Sequence, residues 1–130
     1  MIFRYLTAEE ILRLHHQVIE DFGGSHGVRD EKRLLSVVKA PQLIVFGSEQ
    51  YEGVHQKAAV YLRNIVGDHP FIDGNKRTGI TVSSVFLARS GITLTVKPKV
   101  LEDFVVGVAA KHLDINEVAT WLKNNSARYF

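Results

Sequence analysis

The sequence has no cysteine, which removes disulfides, thiolate metal centres and a cysteine nucleophile from consideration. That usage fits a protein kept in a reducing cytoplasm. No apolar run reaches the length of a membrane span, and Arg4 interrupts the only apolar start, so neither a membrane partner nor a secretory leader is expected. Charge of one sign is also scarce: 16 Lys and Arg face 14 Asp and Glu, a net +2 with the six histidines neutral. So weak a bias does not argue for nucleic acid, and the basic residues are scattered over many segments. Only the pI near 9 keeps a DNA-binding reading open. Chemical fingerprints are missing as well. There is no His-Glu-x-x-His and no pair of histidines at i, i+4, so a helix-borne metal hydrolase fails on spacing. Ser83 and Ser84 fall inside a helical pattern without the strained turn of a serine nucleophile. Dinucleotide and Walker fingerprints, repeats, linkers and low-complexity segments are absent.

What is present is enough apolar material, 45% of 130 residues, to fill one core, and residues 1–130 are expected to form a single domain. The pattern predicts an all-α bundle with a short β-hairpin or flap. Thr7 and Glu10 form a capping box ahead of a helix with apolar positions Ile11, Leu12, Leu14, Val18, Ile19 and Phe22, stopping at Gly23-Gly24. Within it His15 and His16 point about 100° apart, so they cannot chelate one ion together; one is expected to pack and the other to face solvent. Asp30 caps a second helix through Lys39, with Leu34, Leu35, Val37 and Val38 inward, and Pro41 ends it. Leu43, Ile44, Val45 and Phe46 form a β-branched and aromatic run, expected as one arm of a hairpin reaching Tyr51. A plain connecting loop with Phe46 buried is the competing reading. Further helices are expected from Gly53 to Gly67, from Gly79 to Ser90 with Gly91 as the stop, from Pro98, and after a capping box at Asp114 and Glu117. Ile92 to Val96 reads as extended, and the tail from Ser126 to Phe130 as fraying.

Between the third and fourth of these helices runs His69-Pro70-Phe71-Ile72-Asp73-Gly74-Asn75-Lys76-Arg77-Thr78. An imidazole, a carboxylate, a glycine turn, an amide and two adjacent cations fall within ten residues. A loop opening a helix offers free backbone N–H groups, and the helix dipole favours an anion there. Gly74 turns the chain without steric cost, so successive N–H groups can form a nest around a phosphate. Lys76 and Arg77 add full positive charge, and two cations at a helix start oppose the dipole unless an anion binds. Asp73 is the oxygen ligand that could hold Mg²⁺. The imidazole of His69 is suited to taking a proton from an attacking hydroxyl. Phe71, between His69 and Asp73, is read as an inward anchor for the loop.

The stretch resembles the Fic signature H-x-F-x-[DE]-G-N-x-R and its relative in the death-on-curing (Doc) toxins, G-N-K-R or A-N-K-R. His69, Phe71, Asp73, Gly74, Asn75, Lys76 and Arg77 meet the motif positions. Lys76 stands where AMP-transferring Fic enzymes carry a second glycine, and Ile80 where many carry a second arginine; both departures point to the Doc branch. The resemblance implies a compact helical Fic/Doc-like fold and a nucleotide-dependent modification of a protein hydroxyl. In the Doc branch it implies ATP lying reversed, with phosphate passed to a threonine of elongation factor Tu and translation halted. His69 would then be the general base, Asp73 the Mg²⁺ ligand, and Gly74, Asn75, Lys76 and Arg77 the phosphate cradle. Leu43 to Phe46 resembles the flap that docks a target peptide as an added strand. An AMP transferase, or a fold that only binds nucleotide or partner, remains the alternative. Ser48-Glu49-Gln50-Tyr51-Glu52-Gly53 spells the inhibitory pattern [ST]-x-x-x-E-[GN] of Fic proteins. It falls in the flap segment and ends at Gly53, a poor helix residue, so it is read as accidental, and a separate cognate antitoxin is expected.

Overall fold

The computed structural model describes residues 2–129. Among the described residues six α-helices follow in order: α1 (Ala8–Phe22), α2 (Glu31–Lys39), α3 (Val54–Asp68), α4 (Asn75–Arg89), α5 (Pro98–Ala110) and α6 (Ile115–Asn124). Two antiparallel pairs complete them. β1 (Ile44–Val45) and β2 (Ser48–Glu49) form the hairpin after a 3₁₀ turn at Ala40–Gln42. β3 (Ile92–Leu94) pairs with β4 (Ser126–Arg128). This is the expected helical bundle with a short hairpin.

Local chemistry sets most boundaries. Thr7 accepts from the Glu10 N–H while Glu10 reaches back to the Thr7 N–H, and Asp114 and Glu117 repeat the arrangement at α6. Asp30 caps α2 through the Arg33 N–H. Helix α3 runs through the middle of the molecule, with Ala58, Ala59, Tyr61, Leu62, Ile65 and Val66 buried, and it packs against α2, α4, α5 and α6. Its small residues let neighbours approach. The Tyr61 hydroxyl accepts the Leu6 N–H, and burial pushes its pKa up to about 12. Lys57 on the same helix is fully buried. Its ammonium donates to the Pro41 carbonyl and to Glu49 and lies over the rings of Phe3 and Tyr5, tying the hairpin to the core. Arg89 near the end of α4 pairs with Glu10 of α1 and holds that carboxyl below its ordinary range.

Three expectations change. Helix α4 begins at Asn75, four residues before Gly79, so Asn75, Lys76 and Arg77 are its first turn rather than a preceding loop. The tail does not fray over Ser126 to Arg128: these residues pair with Ile92 to Leu94, and the Tyr129 N–H bonds to the Gly91 carbonyl. Phe130 lies outside the described residues. The side chain of Leu35, read as inward, is exposed, as are those of Leu12 and Phe22 among the apolar positions of α1. Phe46 is exposed too, at the hairpin tip with a left-handed φ of 50°, so the buried-loop reading fails. His15 is buried and His16 exposed, as the helical angle requires. No helix among the described residues is long and apolar enough to cross a membrane.

Candidate active site

The motif stretch occupies the turn between α3 and α4, and two elements fasten it. Phe71 is fully buried and joins the core. Its ring stacks on the imidazole of His15, at 3.8 Å between centroids and 4° between planes. His15 Nε2 donates to the Asp73 carbonyl at 2.8 Å, which fixes the ring as an Nε2–H form. Asn75 closes the turn from the other end: its amide oxygen accepts the Phe71 N–H and its nitrogen donates to the Phe71 carbonyl. The side chain of Asn75 is therefore spent on the loop, and what it can offer a phosphate is its backbone N–H.

The second fastener is the loop between α1 and α2. Arg29 and Asp30 donate their N–H groups to the Pro70 carbonyl, and Ile72 donates to Gly27. The guanidinium of Arg29 bonds the carbonyls of Asp68 and His69, and Arg33 reaches Asp68 as well. These cations occupy the negative end of α3, where the last carbonyls lack helical partners. His69, with φ 50°, is the residue that turns the chain out of α3, and its side chain is exposed.

An open cleft of about 400 Å³ lies over this turn, lined by His69, Ile72, Asp73, Gly74, Asn75, Lys76 and Arg77 from the motif and by Val18 and Phe22 from α1. Asp73 is exposed; one carboxylate oxygen accepts the Gly74 N–H at 2.8 Å and the other the Ser25 N–H at 3.1 Å. Gly74 sits in a left-handed conformation at φ 76°, and a Cβ there would lie 2.9 Å from Ile19, so no other residue fits without strain. Because Gly74 has no side chain, nothing caps the first turn of α4, and its N–H groups stay available to an anion. Arg77 lies 4.0 Å over the Phe22 ring and 3.6 Å from Glu102 of α5. Lys76 forms no ion pair among the described residues. The structure thus brings His69, Asp73, Gly74, Asn75, Lys76 and Arg77 to one cleft, and sets Leu43 to Phe46 on a separate exposed hairpin. The Ser48–Gly53 pattern is strand and bend, not helix.

Sequence reasoning missed His15, Ser25, Arg29 and Phe22. None stands near the motif in sequence; a polar residue expected on the inward face of an amphipathic helix was the one available signal, at His15.

Burial pulls the His15 imidazole below its ordinary value. Its bond to Asp73 partly offsets this, with His16 and His26 adding to the lowering and the Asp73 carboxylate opposing it. His55, bonded to Ser126, is lowered by burial and then by Lys123 and Arg128. The unfolded chain therefore binds more protons once pH falls below about 6.5, where free imidazole titrates. Stability is fully present above that value and lost as pH falls towards the folded values. Thermal melts over about pH 7 to 5 are expected to show a falling Tm, less steeply in His55→Gln. A Tm that rose on acidification would contradict the sign.

The family model described as the Fic/DOC family matches residues 5–87. The chain is similar to the protein kinase Doc of Escherichia phage P1, 31% identical over 120 residues, 92% of this chain and 94% of that protein. It is also similar to the toxin Doc of Mycolicibacterium smegmatis, 33% identical over 125 residues, 95% and 94% of the two chains. On that extent of shared sequence, the chain belongs to the Fic/Doc family.

Proposed function

We propose that this chain is the toxin of a toxin–antitoxin pair and a protein kinase of the Doc type. It moves the γ-phosphate of ATP to a threonine hydroxyl of a translation factor such as elongation factor Tu. The observation that carries the reading is the uncapped positive end of α4, bearing Lys76 and Arg77, in one cleft with His69 and Asp73. Relatives named as a kinase and a toxin support it.

The residues suit the groups they would hold. A triphosphate meets the free N–H groups of α4 and the two cations. The exposed Asp73 carboxylate is a hard oxygen donor of the kind Mg²⁺ takes, and a bound Mg²⁺ would neutralise phosphate charge. Its hydrogen bonds to Gly74 and Ser25 hold it in place. His69 accepts the proton of the target hydroxyl as its oxygen bonds to the γ-phosphorus and the bond to the departing ADP breaks. The exposed apolar hairpin, Leu43 to Phe46, supplies an edge for a target segment. An antitoxin covering Asp73 to Arg77 would silence the site.

Lys76 decides between phosphate and AMP transfer. It is an exposed, flexible point charge on the first turn of α4, where AMP transferases of the family leave room with glycine. The test is the mass added to purified elongation factor Tu with ATP and Mg²⁺. Wild type is expected to add a phosphate increment. Lys76→Gly is expected to lose it and to gain at most weak AMP transfer, since Ile80 replaces the second arginine. An AMP increment from wild type would overturn the kinase assignment in favour of the transferase.

A further inference from the structure

Three donors that the cleft chemistry does not use converge on one point of the surface. His16 and Glu20 sit one turn apart on α1 and share a face, with His16 Nε2 3.4 Å from Glu20 Oε1. His26 comes from the loop after α1, and its Nε2 lies 3.8 Å from the same oxygen. The two imidazoles stack at 4.7 Å, and all three donor atoms lie within 4.8 Å of one another. Among the described residues no Lys or Arg pairs with Glu20. Ion pairing explains the grouping poorly. Exposed pairs contribute little, and protonating both imidazoles would set like charges face to face. A cation between the three satisfies them all.

We infer that His16, Glu20 and His26 bind one divalent transition-metal ion of the Zn²⁺ class. Two imidazole nitrogens and a carboxylate oxygen suit Zn²⁺, Co²⁺ or Ni²⁺, whereas Mg²⁺ takes oxygen donors. Ligand atoms about 2.1 Å from a tetrahedral ion stand roughly 3.4 Å apart. The two contacts to Glu20 are already near that separation, and exposed side chains close the rest by rotating. The fourth position is left to water.

The third ligand is placed by contacts that need no metal. The His26 loop is fastened to the motif turn through the Ser25 N–H on Asp73 and the Ile72 N–H on the Gly27 carbonyl. Gly24 lies against the same carboxylate: with φ 116°, its missing Cβ would stand 2.6 Å from the Asp73 oxygen. An ion held by α1 and this loop therefore fixes the loop that orders Asp73. The site is separate from ATP and Mg²⁺ and does not depend on transfer taking place.

Chelator-treated full-length protein titrated with ZnCl₂ in the calorimeter is expected to bind one equivalent that Mg²⁺ does not displace. Co²⁺ should give the ligand-field spectrum of a nitrogen and oxygen site. His16→Ala and His26→Ala should each weaken Zn²⁺ by at least about tenfold, while His112→Ala, an exposed histidine elsewhere, changes nothing. All three side chains are exposed, so the variants should keep the Tm of the metal-free protein. Amide exchange at Ser25 and Gly27 should slow on Zn²⁺ binding in wild type and not in His26→Ala. No saturable Zn²⁺ binding, or binding unchanged by both variants, overturns the assignment.

Discussion

His69→Ala is expected to lower the rate of transfer by about 10²–10⁴ and to leave the fold in place. The imidazole is exposed at the end of α3, and residue 69's ties to the rest of the molecule run through its backbone: its N–H on Ile65 and its carbonyl under Arg29. Alanine keeps both. It tolerates the left-handed φ less well, at a cost on the order of 1 kcal/mol, so a Tm drop of a few degrees is expected and a collapse is not. In bacteria expressing the chain alone, wild type should arrest growth and His69→Ala should not. The rate of phosphate incorporation into purified target, with Tm measured in parallel, separates loss of the base from loss of the fold. Transfer at the wild-type rate would remove His69 from the chemistry.

Phe71→Ala should cost about 3–5 kcal/mol in unfolding free energy. The ring is fully buried between His15 and the core, so its removal leaves a cavity that the stiff α3–α4 junction cannot close. It also leaves the buried His15 ring without its stacking partner while that ring still holds the Asp73 carbonyl. The same substitution should therefore disorder the turn between α3 and α4 in whatever fraction stays folded, and transfer per folded molecule should fall as well. Denaturant midpoints compared at equal slope measure the first effect. A loss below about 1 kcal/mol, the scale of a surface change, would mean that Phe71 is not the anchor of the loop.

Much of the site was legible because its residues are contiguous. From His69 to Arg77 each side chain's chemistry can be read without a partner: an imidazole, an aromatic ring, a carboxylate, a turn and two cations. Helix starts were equally plain, since capping boxes at Thr7 and Asp114 and the Asp30 cap are local hydrogen-bond patterns written within four residues. The start of α4 was misplaced because Asn75, Lys76 and Arg77 have no apolar periodicity. That turn is built by Gly74's left-handed backbone and by Asn75 bonding back to Phe71, neither of which appears as a hydrophobic pattern.

The amino-acid order alone therefore determined the helical class, the motif and the positive charge it carries, all consequences of side chains within a turn or two of each other. Tertiary structure decided what is distant in sequence. The tail at Ser126 to Arg128 became a strand only because Ile92 to Leu94 presents an edge to it. Phe22, at the apolar end of α1, was left exposed beneath Arg77 rather than buried. The clamp of His15, Ser25 and Arg29 on the motif turn spans 39 to 58 residues of chain. Such contacts form only after the helices have packed, since the packing that closes those loops also offsets their entropy. No local propensity encodes them.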